Sequence, residues 1–264
     1  MISLKSKHEI EVMREAARRL KIVFQELKRS IKVGMTTLEI DQKAEHLIKG
    51  QKATPAFKGY RGYPACVCTS INEEVVHGIP SKRKLQEGDL LSVDIGLIYN
   101  GYVSDSARTW AIGKVSEEAL ELMEAARRSL YAGMAQMKVG NRLGDLSSAV
   151  QECVEREGFS VIRDFVGHGI GRAMHEDPQV PNFGKPGRGV KFEVGMVLAI
   201  EPMVAAGSWE VDILEDAWTV VTRDRQLAAH YEDTIALTEN GPENLTGPQA
   251  YEENTVDQFQ LGAL

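Results

Sequence analysis

The stretch Lys84–Asp105, KLQEGDLLSVDIGLIYNGYVSD, decides the fold of this chain. Two apolar β-type runs flank Asn100-Gly101, and Asn-Gly in that setting is the strongest short-range hairpin signal, because both residues of a type I′ turn take positive φ. A two-residue loop fixes the register: Tyr99 pairs with Tyr102, Gly96 with Asp105, and Asp94 with Ala107. Alternation along the strands then puts Asp94 and Asp105 on one face as diagonal neighbours, roughly 7–8 Å apart at Cα. Two carboxylates aimed at one point from an otherwise apolar sheet cost too much to stand uncompensated. They require a cation.

Outward from the hairpin, the second half of the chain repeats the first. Lys32-Val33-Gly34 matches Lys138-Val139-Gly140 at an offset of 106, and Ile40, Ala44 and Leu47 fall on Leu146, Val150 and Cys153 at that same offset. KLQEGDLLSVDI aligns with KFEVGMVLAIEP at an offset of 107, which superimposes Asp94 on Glu201. Two α-α-β-β halves, about 6–112 and 116–238, imply a pseudo-two-fold with a site on its axis. The Ser6–Glu9 capping box opens a helix through about Arg29, and Thr36 or Thr37 caps a second to about Lys49. Ser116 starts a third to about Met137, and Asn141 caps a fourth to Glu157. Strands are expected near 196–204, 211–221 and 229–238. The fold class is α+β, a central antiparallel sheet with helices on its outer face. One domain, 1–248, is followed by an acidic tail, 249–264, with the composition of a disordered segment.

Composition narrows the class. Of 264 residues, 43% are apolar and 26% charged, as in an ordinary soluble globular protein, and the net charge of −7 argues against a dedicated DNA binder. The first 32 residues run the other way, with nine Lys/Arg against four Asp/Glu, a balance of +5. That excess is either a solvated helix face or a docking surface for an anionic partner such as ribosomal RNA. Cys66, Cys68 and Cys153 lack a second Cys/His pair at zinc-site spacing and read as reduced thiols. No apolar run reaches the length of a membrane span and no signal-peptide core opens the chain, so the expected compartment is the cytoplasm.

Five further residues join the two aspartates. Glu201 lies in MVLAIEPMV, a run that reads as a strand buried on both sides, and Glu232 in HYEDTIALT, another β-rich run. A lone ionised glutamate in such a strand would shift its pKa or lose stability, so pairing with a cation is the better reading. His168 sits in Val-Gly-His-Gly-Ile-Gly, where the flanking glycines would let backbone approach a ligand. His77 and His175 precede prolines at similar spacing in the two halves and are expected to share a cavity. Four carboxylates and an imidazole suit a pair of Mn, Fe, Co or Zn ions rather than a thiolate zinc site, and such a pair supports hydrolysis.

The ordered set HGIP, SVDIG, SDSA, GHGIG, MHEDP, AIEPM and YEDTI, spread between about residues 4 and 246, closely resembles the type I methionine aminopeptidases. The resemblance implies a pita-bread fold, a monomer, and removal of N-terminal methionine from nascent polypeptides when the second residue is small. It implies two divalent ions held by Asp94, Asp105, His168, Glu201 and Glu232, with Asp105 and Glu232 bridging. It further implies that His175 binds the scissile carbonyl, His77 contacts the amide side, and Glu201 handles the proton of the attacking water. The methionine side chain would sit among Phe57, Tyr60, Tyr63, Cys68, Met174 and Trp218. Two residues depart from the pattern: Phe57 stands where many bacterial members have cysteine, and Asp233 where histidine is common. The rival readings are a proline peptidase of the aminopeptidase P or prolidase kind and a non-catalytic pita-bread binding protein. The second would be expected to have lost ligands, and all five are present.

Overall fold

The computed structural model describes residues 2–247; the tail expected at 249–264 lies outside the described residues. The first half comprises α1 (Lys7–Ser30), α2 (Thr37–Gly50), β1 (Thr54–Pro55), β2 (Val67–Ile71), β3 (Glu74–Val76), β4 (Leu90–Tyr99) and β5 (Tyr102–Ala111). Next come α3 (Glu117–Gln136), α4 (Leu143–Glu155), β6 (Ser160–Val161), β7 (Gly167–Gly169), β8 (Glu176–Val180) and β9 (Val197–Ile200). The short strands β10 (Met203–Ala205), β11 (Val211–Ile213), β12 (Val220–Thr222), β13 (Ala228–His230), β14 (Glu232–Thr238) and β15 (Gly241–Asn244) complete the order.

The helices begin where the capping chemistry predicts. The Ser6 hydroxyl accepts from Glu9 N–H while the Glu9 carboxylate accepts from Ser6 N–H, and Thr36 and Glu39 form the same box on α2. At α4 the expectation fails. Asn141 turns its amide to the Gln136 carbonyl, and Arg142, the repeat counterpart of Thr36, occupies the cap position. Asp145 still accepts from Arg142 N–H at 2.7 Å, but no hydroxyl answers it, and α4 ends at Glu155, short of Glu157.

The hairpin β4–β5 has the expected register, with Tyr99, Gly96 and Asp94 opposite Tyr102, Asp105 and Ala107. Asn100 (φ 49°) and Gly101 (φ 79°) take the left-handed conformation that the turn needs. A nine-stranded sheet runs β1-β4-β5-β14-β9-β7-β8, with β2 beside β4 and β15 beside β14, and every pairing in it is antiparallel. The order is symmetric about the β5–β14 junction: β9 mirrors β4. Leu91, Val93, Ile95 and Leu97 of β4 face α1 and α2, while Leu198 and Ile200 of β9 face α3 and α4, so each half keeps its own apolar core. Isolated bridges Thr36–Lys84 and Arg142–Lys191 repeat at the same offsets as the sequence.

Three expected strands are broken in two. The run 196–204 splits at Glu201-Pro202, because proline brings no N–H to a ladder; the chain leaves the large sheet there and enters a smaller one, β13-β10-β6. Residues 211–221 form the hairpin β11–β12, which joins β3 in a third sheet, and 229–238 divides at Tyr231.

Candidate active site

One face of the large sheet collects the acidic residues through strand alternation alone. Ala107 pairs with Asp94 on one side and Glu232 on the other, and Asp105 lies two residues along on the same face. Ala199 pairs with His168 and with Thr234, and Glu201 follows two residues later at the strand break. Glu201 is therefore not inside a doubly buried strand; it stands at the strand's end, where Pro202 redirects the chain. All five expected ligands line one cavity of about 170 Å³. Ligand atoms of Asp105, His168 and Glu232 lie within 4.8 Å of one another.

The electrostatics of the cluster are those of a site built for positive charge. Burial, and then the charges of neighbouring acids, hold the carboxyls of Asp94, Glu201 and Glu232 well above the usual carboxylate range, and burial raises Asp105 as well. Asp94 Oδ1, Asp105 Oδ1 and Glu232 Oε1 are buried with no hydrogen-bond partner. His168 Nδ1 lies 2.9 Å from the Gly169 carbonyl, and only an N–H can pair with a carbonyl, so Nε2 carries the lone pair. That nitrogen sits 3.4 Å from Glu201 Oε1, acceptor facing acceptor. A cation between such groups removes each of these penalties, so the donor set fits divalent metal ions.

Phe57, Tyr60, Tyr63, Cys68, His77, Met174, His175 and Trp218 also line the cavity, so every residue expected to contact substrate lies on it. Tyr63 is more deeply placed than a loop aromatic should be: it is 3% exposed, and its hydroxyl donates to the carbonyls of Val67 and Gly78. The Tyr60 hydroxyl shares a 2.8 Å hydrogen bond with His175 Nδ1, which leaves Nε2 as the ring nitrogen available to a substrate. His77 adopts φ 61°, a strained conformation for a non-glycine residue, and packs edge-on against Phe165 and Trp218. Burial depresses His77 and His168 to about 4, so both imidazoles are neutral at pH 7. The glycines around His168 serve a different purpose from the one expected. A side chain at 167 or 169 would strike the carbonyls of Ala199 or Asp177, so the close approach is to neighbouring strands.

Sequence reasoning missed Arg61, Val76, Phe165, Val166 and Met203 in the wall, and His230 beside Glu201. His230 is buried, its Nε2 has no hydrogen-bond partner, and it stands 4.0 Å from Glu201 Oε2; its place two residues before Glu232 was the available signal. Asp233, which stands where histidine is common, points away from the site. It is fully buried opposite Ser106 and Ile200, where Arg108 (2.6 Å), Thr246 Oγ1 (2.7 Å) and Asn244 Nδ2 (2.8 Å) donate to its carboxylate. Arg108 also donates to the backbone carbonyl of Glu232 at 2.6 Å, so this ion pair braces an expected ligand from behind.

Comparison with known proteins follows the same lines. Residues 11–239 match metallopeptidase family M24. Over 247 residues the chain is 55% identical to a methionine aminopeptidase of Clostridium acetobutylicum, covering 93% of this chain and 99% of that protein. It superimposes on the crystal structure of a methionine aminopeptidase from Thermotoga maritima with a TM-score of 0.92 and 47% identity, over 94% and 100% of the two chains. A prolidase from Pyrococcus furiosus is also similar, with a TM-score of 0.76 and 26% identity over 93% of this chain and 66% of that one.

Proposed function

This chain belongs to metallopeptidase family M24 and has the pita-bread fold, and from that premise we infer that its cavity is the active site of a methionine aminopeptidase acting on polypeptides that begin with methionine. The observation that carries the reading is the single sheet face holding Asp94, Asp105, His168, Glu201 and Glu232, with orphaned oxygens, in front of an aromatic and sulfur-lined wall. These five residues would hold divalent ions, two of the Mn, Fe, Co or Zn kind in this reading. When bound, such ions supply Lewis-acid polarisation of a carbonyl and a nucleophilic water at neutral pH.

The chain's own residues do the rest. The methionine thioether packs against Phe57, Cys68, Met174 and Trp218, with Tyr60 and Tyr63 beside it. His175, its Nδ1 engaged by Tyr60, donates from Nε2 to the scissile carbonyl oxygen as negative charge develops there. Neutral His77 approaches from the amide side, and Glu201 takes and returns the proton of the attacking water. The identity of 55% to a methionine aminopeptidase against 26% to a prolidase favours methionine over proline as the recognised residue.

The protein acts as a cytoplasmic monomer in this reading, and among the described residues no helix is long and apolar enough to cross a membrane. Transient ribosome contact through α1 is the weaker idea, because Lys7, Arg14, Arg18, Arg19 and Arg29 already pair with glutamates. Cleavage of Met-Ala-Ser, Met-Leu-Ser and Ala-Pro-Ser by metal-loaded protein tests the function. Methionine release from the first, sharply reduced from the second and absent from the third, is expected; turnover before proline alone would overturn the reading.

A further inference from the structure

We propose that Lys5 is a positioning residue of the active site, holding through Glu176 the turn that presents His175 to the cavity. Residues 2–6 run ahead of α1, and Lys5 is only 7% exposed, a burial that lysine rarely accepts without a partner. Its backbone N–H donates to the Gly195 carbonyl at 2.7 Å, fastening the segment to the loop that leads into β9. Its ammonium donates to the Ser3 carbonyl at 3.0 Å and to the Glu176 carboxylate, 171 residues away.

That carboxylate is the centre of the turn. It also accepts from the backbone N–H groups of Arg172 (2.9 Å) and Ala173 (3.2 Å), so three donors converge on one anion. The turn wraps directly on the ion pair: a methyl group added at Gly171 would lie 2.5 Å from Lys5 Cε and 2.6 Å from Glu176 Oε1. The Gly171 carbonyl in turn accepts from Val103 N–H of β5, two residues before Asp105. His175 immediately precedes Glu176, and its ring centroid lies 4.3 Å from that of His168. The pair, buried at its lysine end, thus fixes the backbone on one side of His175, while Tyr60 fixes its ring on the other.

Lys5→Met keeps the aliphatic stem and removes the charge that anchors the turn. Displacement of a reacting group by about 1 Å costs on the order of 100-fold in rate, and partial loosening of the turn is expected to cost at least about tenfold. The inference rests on the role given to His175, so the experiment separates the two. Steady-state cleavage of Met-Ala-Ser is measured with metal-loaded wild type, Lys5→Met, His175→Ala and a control, Lys7→Met, whose pair with Glu239 is exposed. Lys5→Met should lose about tenfold or more in kcat, with KM within about twofold and metal content unchanged, while its His175 ring resonances shift in NMR spectra. Lys7→Met should match wild type.

A kcat within about twofold of wild type with unmoved His175 resonances would overturn the proposal. If Lys5→Met does not fold, Glu176→Gln, which keeps an acceptor for Arg172 and Ala173, carries the same expectation and the same refutation. Wild-type turnover by His175→Ala would instead overturn the reading of the site itself.

Discussion

Replacing Arg108 by methionine should destabilise the protein far more than a half-buried residue ordinarily would. Among the described residues the guanidinium is the only cation paired with Asp233, whose side chain is 0% exposed. Methionine preserves most of the stem but leaves a desolvated carboxylate facing only neutral donors: Thr246, Asn244 and, at 3.3 Å, Ser106. Breaking a buried pair by removing one partner costs about 3–5 kcal/mol. The carbonyls of Ala107 and Glu232 lose a donor as well, although Ser106 Oγ still reaches Glu232. For a chain of this size, 3–5 kcal/mol corresponds to a fall in Tm of roughly 6–20 °C. Thermal unfolding of Arg108→Met, Asp233→Asn and the double variant measures it. The single variants should each fall, and the double variant should lose less than their sum, because the second substitution no longer strands a charge. A fall of less than about 2 °C in Arg108→Met, or strict additivity, would refute the account of this pair.

Glu201→Gln should lower kcat for Met-Ala-Ser by about 100- to 10,000-fold without lowering Tm, because it removes one of several mutually repelling buried acids; turnover within a few-fold of wild type would reject its role in proton transfer. Gly96→Ala places a methyl 2.6 Å from the Phe57 ring and 3.1 Å from Met174 Cε, so about 1–3 kcal/mol of overpacking should appear as a lower Tm and a higher KM. Wild-type values of both would contradict the described pocket wall. The Tyr102 hydroxyl, above other causes, holds the Glu9 carboxyl at about 2, down from 4.5. A depressed pKa stabilises above its unfolded value, and that contribution is lost as pH falls from about 4.5 to about 2. Tyr102→Phe should therefore be less stable than wild type in urea at pH 7, with a deficit that shrinks by pH 2; equal deficits at both would refute the linkage.

What the sequence made legible was set by local rules. The β4–β5 register followed from a two-residue turn, and alternation then placed Asp94 and Asp105 on one face without any tertiary information. The repeat locates Glu201, and Pro202 is the local signal that its strand ends there, since proline does not belong in a central ladder. The offset of 106 also pointed from Thr36 to Arg142, whereas residue preference favoured Asn141; position in the repeat outweighed intrinsic capping strength. Alternation could have turned Asp233 away from the site, since it directly follows Glu232. Its pairing with Arg108 and the pairing of Lys5 with Glu176 join residues 125 and 171 positions apart, and neither carries a local signature. Tyr63 shows the same limit: nothing local in its Gly-rich loop signals that its hydroxyl donates to the carbonyls of Val67 and Gly78.

The central claim is that the sheet face holding Asp105 and Glu232 is a divalent-metal site on which methionine release depends. Methionine release from Met-Ala-Ser by chelator-stripped protein, measured before and after addition of Co²⁺ or Mn²⁺ with bound metal quantified in parallel, tests it most directly. Stripped wild type should be inactive and should recover as ions bind, whereas Asp105→Asn/Glu232→Gln should neither bind the ions nor recover. Full turnover by the metal-free protein, or recovery of the double variant, would contradict it.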